Sequence, residues 1–426
     1  MGAFAEGARS CLSGARNESL KISTRAAPPQ PLFSARNGSA NTDPSGRPIY
    51  LDHHATTPVD LRVADVVFRV MTEAFGNPAS ADHRYGEEAA TLVEAARVQV
   101  ADLIGADSED VQFTSGSTEG IRLALAYAAE LAGPGTLRVA VSRAEHDAVL
   151  EAVTVAVDGG WASCIWMEVD GLGRVSASEI ERALRDGAQL LCLMAANNEV
   201  GTIQDLASAA GQAHEAGASL LVDATQAAGR LEISVLDQGL DYLVLSGHKL
   251  YGPKGVGALV SPGLALAPPP ARYRGHAPTA NVPAIAGLGE ACRLRRLEMA
   301  VDEARIRGLR DELQALLVSK VPGLAINGDV AARLSNNLHV SAPGAPNDLV
   351  VRYLRDTVAI STGAACSSGT DAPSHVLRAM RLPAWRQDGA LRISLGRSTT
   401  TADIECAGAA IMAAIRLAQA ASQEAQ

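Results

Sequence analysis

Residues 241–255 read DYLVLSGHKLYGPKG, an unbroken apolar run ending in a glycine-rich turn that carries two of the chain's four lysines. A continuous run of this kind suits a strand buried on both faces of a parallel sheet, not one alternating between core and water. Three more runs share the pattern: LRVAVS (137–142), LLCLMA (190–195) and SLLVDA (219–224). Helical stretches separate them. Between Gly86 and Gly105, Val93, Ala96, Val100, Leu103 and Ile104 share one helix face, and Asp205–Gly217 is a further helical segment. The alternation predicts an α/β large domain on a parallel sheet.

Composition narrows the function. With 426 residues, 47% of them hydrophobic and 20% charged, the chain can bury a large core and has room for roughly two to three domains. A net charge of −10 without a basic stripe argues against direct nucleic-acid binding. Six cysteines without C-x-x-C spacing read as reduced thiols, with Cys192 a core residue. No apolar run approaches the length of a membrane span. Residues 1–48, rich in Ser, Ala, Gly, Pro and Arg, read as a disordered tail. Its arginines faintly resemble an organelle presequence, but no secretory apolar segment is present, so the expected location is the cytoplasm. Residues 63–299 read as the large domain, and 49–62 with 300–426 as a smaller α+β domain. The latter holds a long charged helix (EMAVDEARIRGLRDELQALLVSK) and a closing helix with Ile404, Ala407, Ile411 and Ile415 in register.

In open parallel sheets, ligands bind beyond the carboxyl ends of the strands. Just past the four runs lie His146, then Asn197 and Asn198, then Asp223 and Gln226, then Ser246, His248 and Lys249. Each alone has a structural explanation as a cap or a satisfied core residue; four successive strand ends do not. In FTSGSTEG (113–120) a strand meets Gly116, and Ser117 and Thr118 open a helix whose N–H groups would cradle a phosphate. The same Ser/Thr-to-Glu spacing is also an ordinary helix start. Lysine, unlike arginine, can lose its proton and hold a Schiff base. A lysine for an imine, an aspartate for a pyridine nitrogen and a phosphate cradle together describe a pyridoxal phosphate site. Lys254, between Gly252-Pro253 and Gly255, reads as a loop charge.

From about Ile49 to Leu417 the chain resembles the cysteine desulfurases of the class V aminotransferase group, pyridoxal-phosphate fold type I, which implies an α/β large domain on a mostly parallel sheet of the seven-stranded type. The resemblance rests on YLDHHATTPVD, FGNPASADHRYG, FTSGSTEG, AEHDAVL, NNEVGTIQD, VDATQAAG, SGHKLYGPKGVGAL, STGAACSSG and RISLGR, in that order. It implies that Lys249 carries the cofactor, Asp223 pairs with its ring nitrogen and His146 stacks on the ring. Asn198 and Gln226 would meet the ring hydroxyl region, with Asn198 also near the substrate. Ser117, Thr118, Ser246 and His248 would hold the phosphate, with Thr279 reaching across from the second subunit of a homodimer. Arg392 would clamp the substrate carboxylate. Cys366, in the small polar stretch STGAACSSGT, would be the thiolate that takes sulfur from L-cysteine as a persulfide and passes it to an acceptor protein. No resident metal is expected, although Cys366 would be placed to ligate an iron–sulfur cluster transiently with a scaffold partner.

One block departs from the pattern. In ARYRGHAPTANVPAIAG (271–287), His276 stands where the resemblance leads one to expect arginine, Pro278 replaces glycine, and a glycine triplet is missing. Two other readings remain open at this level: a related activity such as selenocysteine lyase or a cysteine-type β-lyase, or a catalytically impaired assembly partner. The acceptor's pathway, iron–sulfur assembly or tRNA or other thiolation, is not specified by these residues.

Overall fold

The computed structural model describes residues 47–264, 270, 279–363 and 374–424; the tail, most of the altered 271–279 block and Cys366 therefore lie outside the described residues. The strands run, in chain order, β1 (Ile49–Tyr50), β2 (Val111–Thr114), β3 (Leu137–Ser142), β4 (Ala162–Met167), β5 (Leu190–Met194), β6 (Ser219–Asp223), β7 (Tyr242–Ser246), β8 (Gly257–Val260), β9 (Ala325–Ile326), β10 (Asn337–Ser341), β11 (Val358–Ala359) and β12 (Ala390–Ser394). Seven of them form one sheet in the order β2-β8-β7-β6-β5-β3-β4. Every pairing in it is parallel except those of β8 with β2 and β7. The expected α/β class, with its mostly parallel seven-stranded sheet, is what the structure shows.

The unbroken apolar runs now have a physical cause. Each central strand feeds two cores at once: Leu191, Leu193, Leu220, Val222, Leu243 and Leu245 pack on one face of the sheet. Leu190, Cys192, Leu221, Tyr242 and Val244 pack on the other. Neither face meets water, so period-two alternation has nothing to select. Cys192 is fully buried, and burial pushes its thiol well up.

A third core holds β10, β12 and the closing helix Thr401–Glu424, whose Ile404, Ala407, Ile411 and Ile415 are all buried. That helix alone among the described residues has the length and composition to cross a membrane. Its apolar face is instead packed inside this core. Strands β1 and β11 pair in parallel, so the segment entering from residue 49 joins the C-terminal part of the chain.

The charged helix runs Val282–Lys320, sixteen residues earlier than its charged stretch from Glu298 suggested. The Asn281 side chain caps it by accepting from the Ala284 N–H at 3.2 Å, and Pro283 lies in the first turn. Its first half buries Ile285, Leu288 and Leu294 in the large core, and its second half buries Ile306, Leu313 and Leu317 in the C-terminal core. Charge marked only the helix from Glu298 onward, because the first half lies against the large core.

Candidate active site

The chain leaves β3 in one direction, towards β4, and β5 in the other, towards β6, so the carboxyl ends of β3 and β5 flank a topological switch point. A cavity of about 220 Å³ opens there. Its lining includes Ser117, Thr118, His146, Asn198, Asp223, Gln226, His248, Lys249 and Arg392. These residues come from six separate stretches of sequence. Ser246 stays buried beside them, its Oγ 3.7 Å from where a Cβ on Gly116 would sit. Thr279 is exposed and does not line this cavity. Cys366 lies outside the described residues.

Lys249 sits at the end of the turn that follows β7, and its Nζ donates to the carbonyls of His54 and Ala55, the latter at 2.9 Å. Burial pushes its ammonium down to about 7, with the Arg392 and Arg230 charges adding and Asp52 and Asp223 opposing. Near neutral pH a substantial fraction is therefore the free amine, the nucleophilic form. Next to it, burial and the charges of Lys249 and Lys254 hold His248 down to about 4, so its ring is neutral. Its Nδ1 lies 3.2 Å from the Thr56 hydroxyl.

His146 caps the helix Asp147–Asp158, its Nδ1 accepting from the Ala148 N–H at 3.0 Å. That bond leaves the proton of a neutral ring on Nε2. Asp223, at the end of β6, takes the Thr225 N–H on Oδ1 at 2.9 Å. The Gln226 amide donates to the His54 carbonyl at 2.9 Å. The anion end is built by Gly116, whose φ of 154° turns the chain from β2 into the helix Ser117–Leu131. That turn leaves the first N–H groups of the helix at the cavity.

Arg392 projects from β12 and is 1% exposed. Its Nη2 donates to Asp52 and its Nη1 to the Asn198 carbonyl. Among the described residues, four that line the cavity keep a buried polar atom without a hydrogen-bond partner: Asn198 Oδ1, Thr225 Oγ1, Gln226 Oε1 and Arg392 Nε. Groups of this kind are costly unless something occupies the space they face.

Several residues of the site carried no signal in sequence. His54 is buried between the Asn198 carbonyl, 3.0 Å from Nδ1, and Asn336 Oδ1, 3.1 Å from Nε2. It holds up the backbone to which Lys249 and Gln226 donate. Glu145, behind His146, is fully buried and accepts from the Met194 N–H at 2.6 Å. Glu199 accepts from the Ser374 hydroxyl at 2.6 Å. Each joins segments more than forty-five residues apart in the chain, a relation no local pattern reveals.

Residues 49–406 match the family model described as Aminotransferase class-V. The chain is 42% identical over 395 residues to a cysteine desulfurase of Frankia sp. (strain EuIK1), an alignment covering 88% of this chain and 93% of that one. It is 39% identical over 370 residues to the cysteine desulfurase IscS of Shewanella sp. (strain ANA-3), covering 84% and 90%. Among solved structures, a NifS-like protein superposes with a TM-score of 0.79 at 30% identity, covering 87% of this chain and all of the other.

Proposed function

The chain belongs to the class-V aminotransferase family and is a cysteine desulfurase, and from that premise we propose how its residues divide the work. The reaction takes L-cysteine to L-alanine and leaves the sulfur as a persulfide: the substrate C–S bond breaks, an S–S bond forms on a protein thiol, and a proton takes the sulfur's place on the substrate carbon.

The residues present fit pyridoxal phosphate. Asp223 would hold the ring nitrogen protonated, and His146 would lie over the ring. Asn198 and Gln226, with their unsatisfied amide oxygens, would meet the ring hydroxyl region. Ser117, Thr118, Ser246 and His248, with the first N–H groups of the helix Ser117–Leu131, would hold the phosphate. Bound there, the cofactor supplies an electron sink for chemistry at the substrate α-carbon.

Arg392 receives the substrate α-carboxylate on the guanidinium edge whose Nε has no partner. Asp52 and the Asn198 carbonyl fix its plane. Lys249, a substantial fraction of it free amine near neutral pH, would hold the cofactor covalently and, once released, carry the Cα proton. The Cys366 thiolate takes the sulfur and delivers it to an acceptor protein. The observation that carries this reading is the Lys249 amine, depressed to about 7, in one cavity with Asp223 and His146.

A homodimer in the cytoplasm, with Thr279 reaching the partner's phosphate site, completes the proposal. Exposed apolar side chains support the dimer: Leu61, Phe68 and Met71 on the helix Leu61–Thr72, Phe75 just beyond it, and Leu297 and Val301 on the helix Val282–Lys320 are each more than 60% exposed. The acceptor is a protein that takes up persulfide sulfur for iron–sulfur assembly or for tRNA or other thiolation. Release of alanine from L-cysteine by the purified, cofactor-loaded protein tests the reading; absence of turnover on cysteine would contradict it.

A further inference from the structure

A second cavity, of about 400 Å³, lies where the turn after β6 and the second half of the helix Val282–Lys320 meet residues 330–335. Four arginines line it, Arg230, Arg307, Arg310 and Arg333, against the single carboxylate of Asp311. That carboxylate is already engaged, accepting from Arg310 Nε at 2.6 Å. Glu303 stands behind the wall, 3.9 Å from Arg230 Nη1, and is taken up by Arg295 at 2.8 Å and by the Ser335 hydroxyl.

The arginines are not all satisfied. Arg310 Nη1 donates to the Leu334 and Asn337 carbonyls, and Arg333 Nη2 donates to Gln314 Oε1 at 2.8 Å. Among the described residues Arg333 Nε, Arg333 Nη1 and Arg230 Nη1 have no hydrogen-bond partner, although Arg333 is 8% and Arg230 6% exposed. A guanidinium keeps its charge across the working pH range, so these donors cannot be relieved by losing a proton. Even so, burial and the neighbouring Arg310 charge hold Arg333 down to about 10. Arg230 meets a carboxylate only at the 3.9 Å of its Glu303 contact, and Arg333 makes no ion pair among the described residues, so the two buried guanidiniums are left short of negative charge.

We propose that this cavity is a binding site for a small phosphate-bearing metabolite, its phosphate held by Arg230 and Arg333 and its remainder filling the space towards the exposed Arg307. A phosphate monoester, with up to two negative charges and three terminal oxygens, answers two guanidiniums more fully than a carboxylate does. The volume lies within the range of small-molecule pockets, roughly 300–1,000 Å³, and so holds more than a bare oxyanion. The cavity also shares a wall with the desulfurase site, because Arg230 Nη2 donates to the Lys249 carbonyl at 3.5 Å. The proposal stands on these arginines alone and does not depend on the roles assigned around Lys249.

The experiment uses the cofactor-loaded enzyme, so that the cofactor's own phosphate site is filled. Its melting temperature is followed against inorganic phosphate and against glycerol 3-phosphate, with sodium chloride at matched ionic strength as the control. Saturable stabilisation by at least one phosphate probe, absent with chloride, is expected, and the tighter probe identifies free phosphate or a monoester as the ligand. Arg333→Met is expected to weaken that response at least tenfold. Ala332→Asp, which sets a carboxylate into the cavity wall, is expected to raise the melting temperature and abolish the response. The second variant keeps the test informative where the first does not fold. Stabilisation matched by chloride, or unchanged in the folded variants, would overturn the proposal, as would no response to either probe.

Discussion

Arg392 Nη2 donates to Asp52 Oδ1 across 2.8 Å, a pair in which the guanidinium is buried and the carboxylate partly open. The bond ties β12 to the segment that follows β1, and so fixes the guanidinium proposed to receive the substrate carboxylate with a carboxylate from the other end of the chain. Arg392→Ala is expected to raise KM for L-cysteine about a hundredfold, because truncating one partner of a buried charge pair costs about 3 kcal/mol. Asp52→Asn keeps the arginine but loosens its plane, and is expected to raise KM about tenfold with a smaller change in kcat. Steady-state kinetics on both variants checks the split.

Lys249 holds its proton less tightly when folded than when unfolded. Above about 7 the folded chain has released that proton, while the unfolded chain keeps it to lysine's ordinary value. Between those limits the unfolded state binds more protons, so this residue's contribution to stability rises with pH. The cofactor-free Lys249→Met variant removes the buried charge. Its melting temperature relative to wild type is expected to stand highest at pH 6 and to fall as pH rises through 7 towards 10. A pH-independent difference would contradict the depressed value.

Glu145 gives the opposite sign. Burial pushes its carboxyl up to about 8, partly offset by the Met194 N–H, with the Asp223 charge adding to the rise. The folded state then binds a proton that the unfolded state has already released, and stability is lost as pH climbs from the ordinary carboxylate range through 8. Glu145→Gln keeps an acceptor for the Met194 N–H and removes the titration. Thermal melts are expected to show its advantage over wild type growing between pH 5 and pH 8.

Glu199 is buried, and burial raises its carboxyl above the usual range despite the Ser374 hydroxyl bond. Among the described residues its Oε1 lacks a hydrogen-bond partner, and Ser374→Ala would remove the Ser374 bond to Oε2 as well. The expected cost is about 2 kcal/mol of unfolding free energy, measured by denaturant titration. Ser374→Thr, which retains the hydroxyl, is expected to lose less than half of that.

Much of the site was legible because a parallel sheet turns sequence order into spatial order. Each apolar run ends at the same edge, so His146, Asn198, Asp223 and Lys249 could be brought together from their positions after β3, β5, β6 and β7. Arg392 was legible only through resemblance, since one arginine in an apolar strand looks like any other until its partner Asp52 is seen. His54, Glu145 and Glu199 were not legible as site residues, because their burial comes from distant segments closing over them. The long helix was misplaced for a related reason: its first half, PAIAGLGEACRL, is buried against the large core and carries little of the charge that marked the rest.

The central claim is that sulfur passes from L-cysteine to Cys366. The most direct test is peptide mass analysis of the cofactor-loaded enzyme after a single turnover with L-cysteine, alongside the alanine released. The account predicts a mass gain of one sulfur atom on the peptide holding Cys366, matched by one equivalent of alanine, with both lost in Cys366→Ala. Alanine formation that persists in Cys366→Ala, or sulfur found only on another cysteine, would contradict it.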